Sequence, residues 1–160
     1  MWTSLVGFPP VEDDPGVYSI VADGIVFSIP VDKGFVIDLG EKPAIGSTYP
    51  LDIDLQIEGI RVHFSEATIL PEDENGLPLR LELAVYGIPQ APGRRIEELT
   101  LSAPFPFTSS KAGWNGDQLK AYIALDPGHG VPSGEIPLRV SEAFVNILGP
   151  WQVSWARPSE

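Results

Sequence analysis

Polar and apolar residues alternate most cleanly in the middle of the chain. In Leu51-Asp52-Ile53-Asp54-Leu55-Gln56-Ile57 every odd position is apolar and every even one polar, the period of a strand with one buried face. Past Glu58-Gly59 the parity reverses, with Ile60, Val62 and Phe64 apolar and Arg61, His63 and Ser65 polar. A tight turn at Glu58-Gly59 accounts for the reversal. It opposes Ile57 to Ile60, Leu55 to Val62 and Ile53 to Phe64, so that all the apolar side chains share one face. The same register sets Gln56 opposite Arg61 and Asp54 opposite His63 on the polar face. Glutamate is an unusual first residue for a type I′ turn, so a longer loop or a bulge at Gly59 stays open. Alternation resumes from Leu77 to Tyr86, with Leu79, Leu81, Leu83 and Val85 on one side and Arg80 and Glu82 on the other, predicting a third half-buried strand.

Other segments are read from shorter signals. Val17–Ala22 and Ile25–Ile29 flank Asp23-Gly24, a pair suited to the positive-φ positions of a two-residue turn, which predicts a hairpin there. Phe35–Leu39 reads as a further strand, as does Leu119–Leu125. Ile136–Ile147 supplies another, bent or interrupted, and Trp151–Trp155 the last, with Gly149-Pro150 as punctuation. Ile96–Leu101 reads as a strand, although Arg94–Leu99 carries most of the chain's helix propensity. Residues 1–16 contain Pro9, Pro10 and Pro15, which deny donors to any ladder, and form an irregular lead-in. Pro104–Phe107 and Lys111–Asp117 read as one long connection. About eight to ten short strands with no helix-length segment between them predict an all-β fold, an antiparallel two-sheet β-sandwich, as one domain over residues 1–160.

Composition agrees with this reading and removes several functions. The 160 residues include 17 Pro and 16 Gly, which require many turns and leave little room for long helices. At this length roughly 70% of the unfolded surface is buried on folding, enough for a core without metal or disulfide staples. With 22 acidic against 10 basic residues the net charge is −12, a field that repels phosphate backbones and anionic membrane surfaces. Nucleic acid is therefore not an expected partner. There is no cysteine, which excludes thiolate catalysis, Cys-bound zinc, iron–sulfur clusters and disulfides. No run approaches the ~20 apolar residues of a membrane span, so no membrane insertion by this chain is expected, and Met1-Trp2-Thr3-Ser4 lacks the opening of a secretion signal.

Candidate chemistry is sparse. Leu125-Asp126-Pro127-Gly128-His129-Gly130 resembles the zinc-ligand segment of bacterial cell-wall amidases, which would imply a metal-dependent hydrolase. A catalytic zinc needs about three protein ligands, and no histidine follows His129. A tight turn closing a strand is the competing reading. Asp54 opposite His63 could orient a base, but no serine sits in a strained elbow, and a cross-strand charge pair is common in sheets. Asp52 and Asp54 share a solvated face, which leaves neither carboxyl raised for general-acid work. The acidic loops Glu12-Asp13-Asp14 and Glu72-Asp73-Glu74-Asn75-Gly76 offer oxygen ligands, and Glu72, Asp73 and Glu74 are the candidate weak calcium site, without the alternating spacing of a dedicated loop. Trp151 and Trp155, on one face of the last strand with Val153, are expected in the core. Trp114, in a loop with Asn115 and Asp117, is the aromatic expected to be partly exposed, where it would stack on a sugar or anchor a partner.

The closing segment, Ile136-Pro137-Leu138-Arg139-Val140 with Ile147-Leu148-Gly149-Pro150-Trp151-Gln152-Val153-Ser154-Trp155, resembles that of uncharacterised bacterial extracytoplasmic immunoglobulin-like domains. Those domains end in a Gly-Pro-Trp strand and occur on single-span anti-sigma-type membrane proteins. The stretch from Leu51 through Gly59-Ile60-Arg61-Val62 to Leu83 is similar to their central pattern. The resemblance implies an immunoglobulin-like sandwich outside the cytoplasm or at the cell surface of a bacterium, without catalytic residues or cofactor, whose partner is a protein or another cell-envelope component. The resulting expectation is a non-catalytic module for protein interaction or sensing. A carbohydrate-binding module using Trp114 is the alternative, and a cytoplasmic setting stays open.

Overall fold

The computed structural model describes residues 17–89, 92–104, 107–115, 118–126 and 128–156. Among them the chain forms eight strands, β1 (Val17–Asp38), β2 (Thr48–Ile57), β3 (Ile60–Leu70), β4 (Arg80–Pro89), β5 (Arg94–Ser102), β6 (Phe107–Asn115), β7 (Gln118–Leu125) and β8 (Glu135–Ala156). They assemble into a three-stranded sheet in the order β1-β8-β5 and a five-stranded sheet in the order β2-β3-β4-β7-β6. All pairings are antiparallel. The architecture is the two-sheet β-sandwich that the alternation predicts.

The central register is the predicted one, with Ile57 opposite Ile60, Leu55 opposite Val62, Ile53 opposite Phe64 and Asp54 opposite His63. Both turn residues adopt left-handed backbone, Glu58 at φ 47° and Gly59 at φ 75°, so the connection is a two-residue turn despite the glutamate. Arg94 supports the unfavourable position by donating its Nη1–H to the Glu58 carbonyl at 2.8 Å. The apolar faces of β3, β4 and β7 are completely buried, Phe64, Ile69, Leu81, Leu83, Leu119 and Ile123 among them. Across the sandwich they meet Phe35, Ile37, Leu99, Leu138 and Val145 from the smaller sheet. Phe35 and Phe64 join the layers, with ring centroids 4.6 Å apart and planes tilted by 30°.

Three expectations are corrected. No hairpin forms at Asp23-Gly24: β1 runs straight through, and the three short strands read from Val17 to Leu39 are nearly all one strand of 22 residues. The partner explains this, because β8 is equally long and pairs with β1 from Val17–Ala156 to Asp38–Glu135. Long-range pairing outweighs the local turn preference of Asp-Gly, and the irregular residues are absorbed as bulges. One lies between Ala22 and Gly24 opposite Trp151 and Leu148, the other between Pro30 and Lys33. The second correction concerns Gly149-Pro150, which lies within β8 as the bulged side of the first irregularity. The third is the long connection before β7, whose second half is strand β6, paired to β7 and forming one edge of the larger sheet.

Candidate functional site

The two sheets differ in how far their strands are covered. β5 pairs with β8 only from Arg139 to Ile147. Beyond that point β1 and β8 continue together as a two-stranded ribbon, Val17–Gly24 against Leu148–Ala156. Its register sets Ile20 opposite Val153 and Ala22 opposite Trp151, and directly opposed residues share a face. The large apolar side chains described in this ribbon are exposed. Val21 is 60% and Val153 65% accessible, and Ile20, Leu148 and Trp151 are also exposed, followed by Val26 and Phe27 at the ribbon's base.

This exposure overturns the core assignment of the closing strand, since Trp151 and Val153 face solvent. The side chain of Trp155 lies outside the description, and its backbone pairs with Tyr18. The cause is topological: two paired strands bury a face only if a second layer covers it, and over Ile20, Val21, Leu148, Trp151 and Val153 none of the described residues does.

Local structure shows that the ribbon is built rather than frayed. At the bulge Gly149 approaches β1 so closely that a Cβ there would stand 2.5 Å from the Ala22 carbonyl oxygen, so only glycine fits. The Trp151 indole Nε1–H donates back across the bulge to the Ile147 carbonyl at 3.0 Å. At the base the Leu148 N–H donates to the Gly93 carbonyl at 2.7 Å, and the Asn146 amide donates to Glu97 at 2.8 Å. These bonds tie the root of the ribbon to β5 and the turn before it.

Charge separates the ribbon from the rest of the chain. Of its seventeen residues only Asp23 is charged, whereas 20% of the whole sequence is, which would place three or four charges there. The low charge was legible in the sequence. Its meaning was not, because the same apolar run serves equally as a core strand.

The other sites singled out from the sequence resolve individually. Trp114 and Asn115 lie in β6 rather than in a loop, Trp114 opposite the fully buried Leu119 and Asn115 opposite Gln118. Asp117 falls outside the described residues, as do Glu12, Asp13 and Asp14. In the acidic loop Asp73 organises the turn, accepting from the Asn75 and Leu77 N–H groups at 3.0 and 3.1 Å. Its other oxygen faces buried Arg80 at 3.4 Å, which also donates to the Pro71 and Pro78 carbonyls. Glu72 and Glu74 are exposed beside it. Among the described residues no three His, Asp or Glu side chains converge as a metal ion would require.

His129 sits in a tight turn. The Asp126 carboxylate accepts from the Gly128 N–H at 2.8 Å and meets His129 Nδ1 at 3.1 Å, while the His129 N–H donates to the Asp126 carbonyl at 3.0 Å. The Gly128 N–H first, and His129 second, hold the Asp126 carboxyl below its usual range. On the β2–β3 surface Asp54 accepts from Arg61 Nε and Nη2 at 2.9 and 2.7 Å, and its Oδ1 lies 3.0 Å from His63 Nδ1. The Arg61 hydrogen bonds keep this carboxyl low, against desolvation as the next-largest effect and with a further lowering by His63. A carboxylate held in the fork of a guanidinium is a cross-strand tie, not a free base. One cleft of about 480 Å³ opens where β5 ends, between Phe35, Ala103, Pro104 and Leu138. Arg139 on its rim is paired with Asp32 at 2.7 Å, and no nucleophile–base pair lines it.

Comparisons with protein-family models, with curated proteins and with solved structures find no match for this chain.

Proposed function

We propose that this domain is a non-catalytic interaction module that holds a protein partner through the β1–β8 ribbon, in the extracytoplasmic bacterial setting that its closing segment resembles. One observation carries the reading: an apolar, almost uncharged ribbon stands beyond the sandwich on a glycine-locked bulge. Exposed apolar area of this kind is expensive in water unless a partner covers it, and natural sheets guard such strands with charge. A two-stranded ribbon presents open backbone edges as well as apolar side chains, the two features used in recognition by strand addition. The carbohydrate alternative draws on Trp114, whose backbone lies in β6 rather than in a loop.

The test places a photo-crosslinking residue at Ile20 or Val153, and for comparison at Thr68 on the opposite sheet, in the full chain within its native cells. Protein adducts concentrated at the ribbon positions and lost on Val153→Lys are the expected result. Equal labelling at Thr68, or none at the ribbon, overturns the proposal.

A further inference from the structure

Resting on the ribbon as the interaction surface proposed above, we infer that its occupant is an amphipathic helix of a partner protein, with lysine or arginine flanking the apolar face. The helix lies lengthwise on one face of the ribbon and its root. Directly opposed residues share a face, and residues two apart along a strand return to it. The register therefore gathers Ile20 and Val153, Trp151 opposite Ala22, Leu148 opposite Gly24, and Val26 opposite Asn146 into one stripe. β1 keeps its alternation through Ala22 and Gly24, while β8 takes up the extra residue at Gly149-Pro150. Ile20, Val153, Trp151, Leu148 and Val26 are all exposed.

The shape of the stripe selects a helix. A strand added at an edge satisfies backbone groups but leaves the face of the ribbon in water, so what covers it is a second layer. The stripe is two strands wide, about 10 Å at the usual strand spacing. From Ile20 to Ser28, which stands opposite Phe144, it runs roughly 26 Å at about 3.3 Å per residue. One helix has this footprint, being about 10 Å across and, at this length, about 17 residues long. Its backbone hydrogen bonds are its own, so it covers the face without opening a new edge. A further sheet would overhang the two strands and expose edges in turn.

Charge selects the kind of helix. At the root the stripe ends on acid: exposed Glu98 is opposite Phe144, and Glu142 follows on the same face of β8, opposite Pro30. Asp23 stands at the bulge. Among the described residues no cation pairs with Asp23, Glu98 or Glu142. The nearby cations are already engaged, Arg95 with Glu97 and Arg94 at the Glu58 carbonyl. A basic side chain beside the apolar face of the helix thus meets carboxylates without a counter-ion, and the net charge of −12 steers it there. The same charge repels a second copy, and the described residues form strands only, so the helix belongs to another protein.

The test uses a synthetic peptide of about 17 residues made of leucine, alanine and lysine, with leucines at helical spacing and lysines along their flank. Fluorescence anisotropy of the labelled peptide titrated with the full chain should show saturable binding. Exchanging its lysines for glutamates, or reordering the same residues into the alternation of a strand, should each weaken binding about 10-fold or more. Val153→Asp adds attraction for a cation but spoils the stripe, and should still weaken binding by about 10-fold. Glu98→Lys combined with Glu142→Lys should weaken it similarly, whereas Glu66→Lys combined with Glu72→Lys, exposed positions of β3 and the loop after it, should change it about 2-fold at most. Equal losses from the two pairs, indifference to Val153→Asp, a strand-patterned peptide that binds as well, or no binding at all overturns the inference. If the peptide fails while the ribbon still crosslinks a protein in cells, only the basic helix is refuted; if those crosslinks are also missing, the interaction reading falls with it.

Discussion

The β2–β3 hairpin and the β1–β8 ribbon are both antiparallel pairs rich in apolar residues, yet they meet opposite ends. In the hairpin Ile60, Val62, Phe64, Ala67 and Ile69 of β3 are buried under the opposite sheet, and the polar face is tied by Asp54 and Arg61. In the ribbon Ile20, Val21, Leu148, Trp151 and Val153 remain in water because no second layer covers them. Pairing alone therefore does not bury a residue; cover by a second layer does. The hairpin's side chains should be worth a great deal to stability and the ribbon's very little, which is the signature of a surface retained for contact.

The largest expected effect sets one against the other. Phe64→Ala removes a fully buried ring that stacks on Phe35 and should cost about 3–5 kcal/mol in urea unfolding. Val153→Ala in the ribbon should stay within about 0.5 kcal/mol. Comparable losses at the two sites would dissolve the contrast.

Gly149→Ala probes whether the ribbon is held in place. The added methyl meets the Ala22 carbonyl oxygen, a forced shift that typically costs ~1–3 kcal/mol. Hydrogen exchange should quicken at the β1 amides around Ala22 and not in β3 or β4. Uniform quickening would mean that the ribbon and the body unfold as one unit.

A smaller change of opposite sign is expected at the hairpin turn. Glu58 sits at φ 47°, where a residue other than Gly, Asn or Asp pays roughly 1 kcal/mol. Glu58→Asn should therefore raise stability by up to about 1 kcal/mol while Arg94 keeps its bond to the backbone carbonyl. A loss would show that the glutamate side chain itself matters.

The smallest effect is a pH dependence of the hairpin surface. Arg61 and His63 hold the Asp54 carboxyl below its usual range, so its favourable contribution is present above about pH 4 and fades as pH falls through the lowered folded-state value. Carboxyl NMR should show Asp54 titrating below the usual carboxylate range. Arg61→Gln should raise the Asp54 value, and an unmoved titration would refute the cross-strand tie.

Legibility followed the range of the interaction. Between Leu51 and Tyr86 neighbouring strands are neighbours in sequence, so alternation and one turn suffice to define register down to Asp54 opposite His63. β1 and β8 stand at opposite ends of the chain, and no local signal at Asp23-Gly24 or Gly149-Pro150 can announce that each lies inside a 22-residue strand paired with the other. Strand β6 was hidden for a related reason: its glycine, serines and lone lysine give no period of two, and its place comes from β7 alone. Within the candidate site, the low charge of the ribbon could be counted in the sequence, while the exposure of Trp151 and Val153 could not.

The sequence by itself determined the all-β class, the acidic balance, the central hairpin and the polar and apolar faces of β2, β3 and β4, because these depend on residues within a few positions of one another. Tertiary structure alone decided which apolar faces are covered. Coverage depends on how far the facing layer reaches along β1 and β8, two strands whose bulged pairing joins residues more than a hundred positions apart.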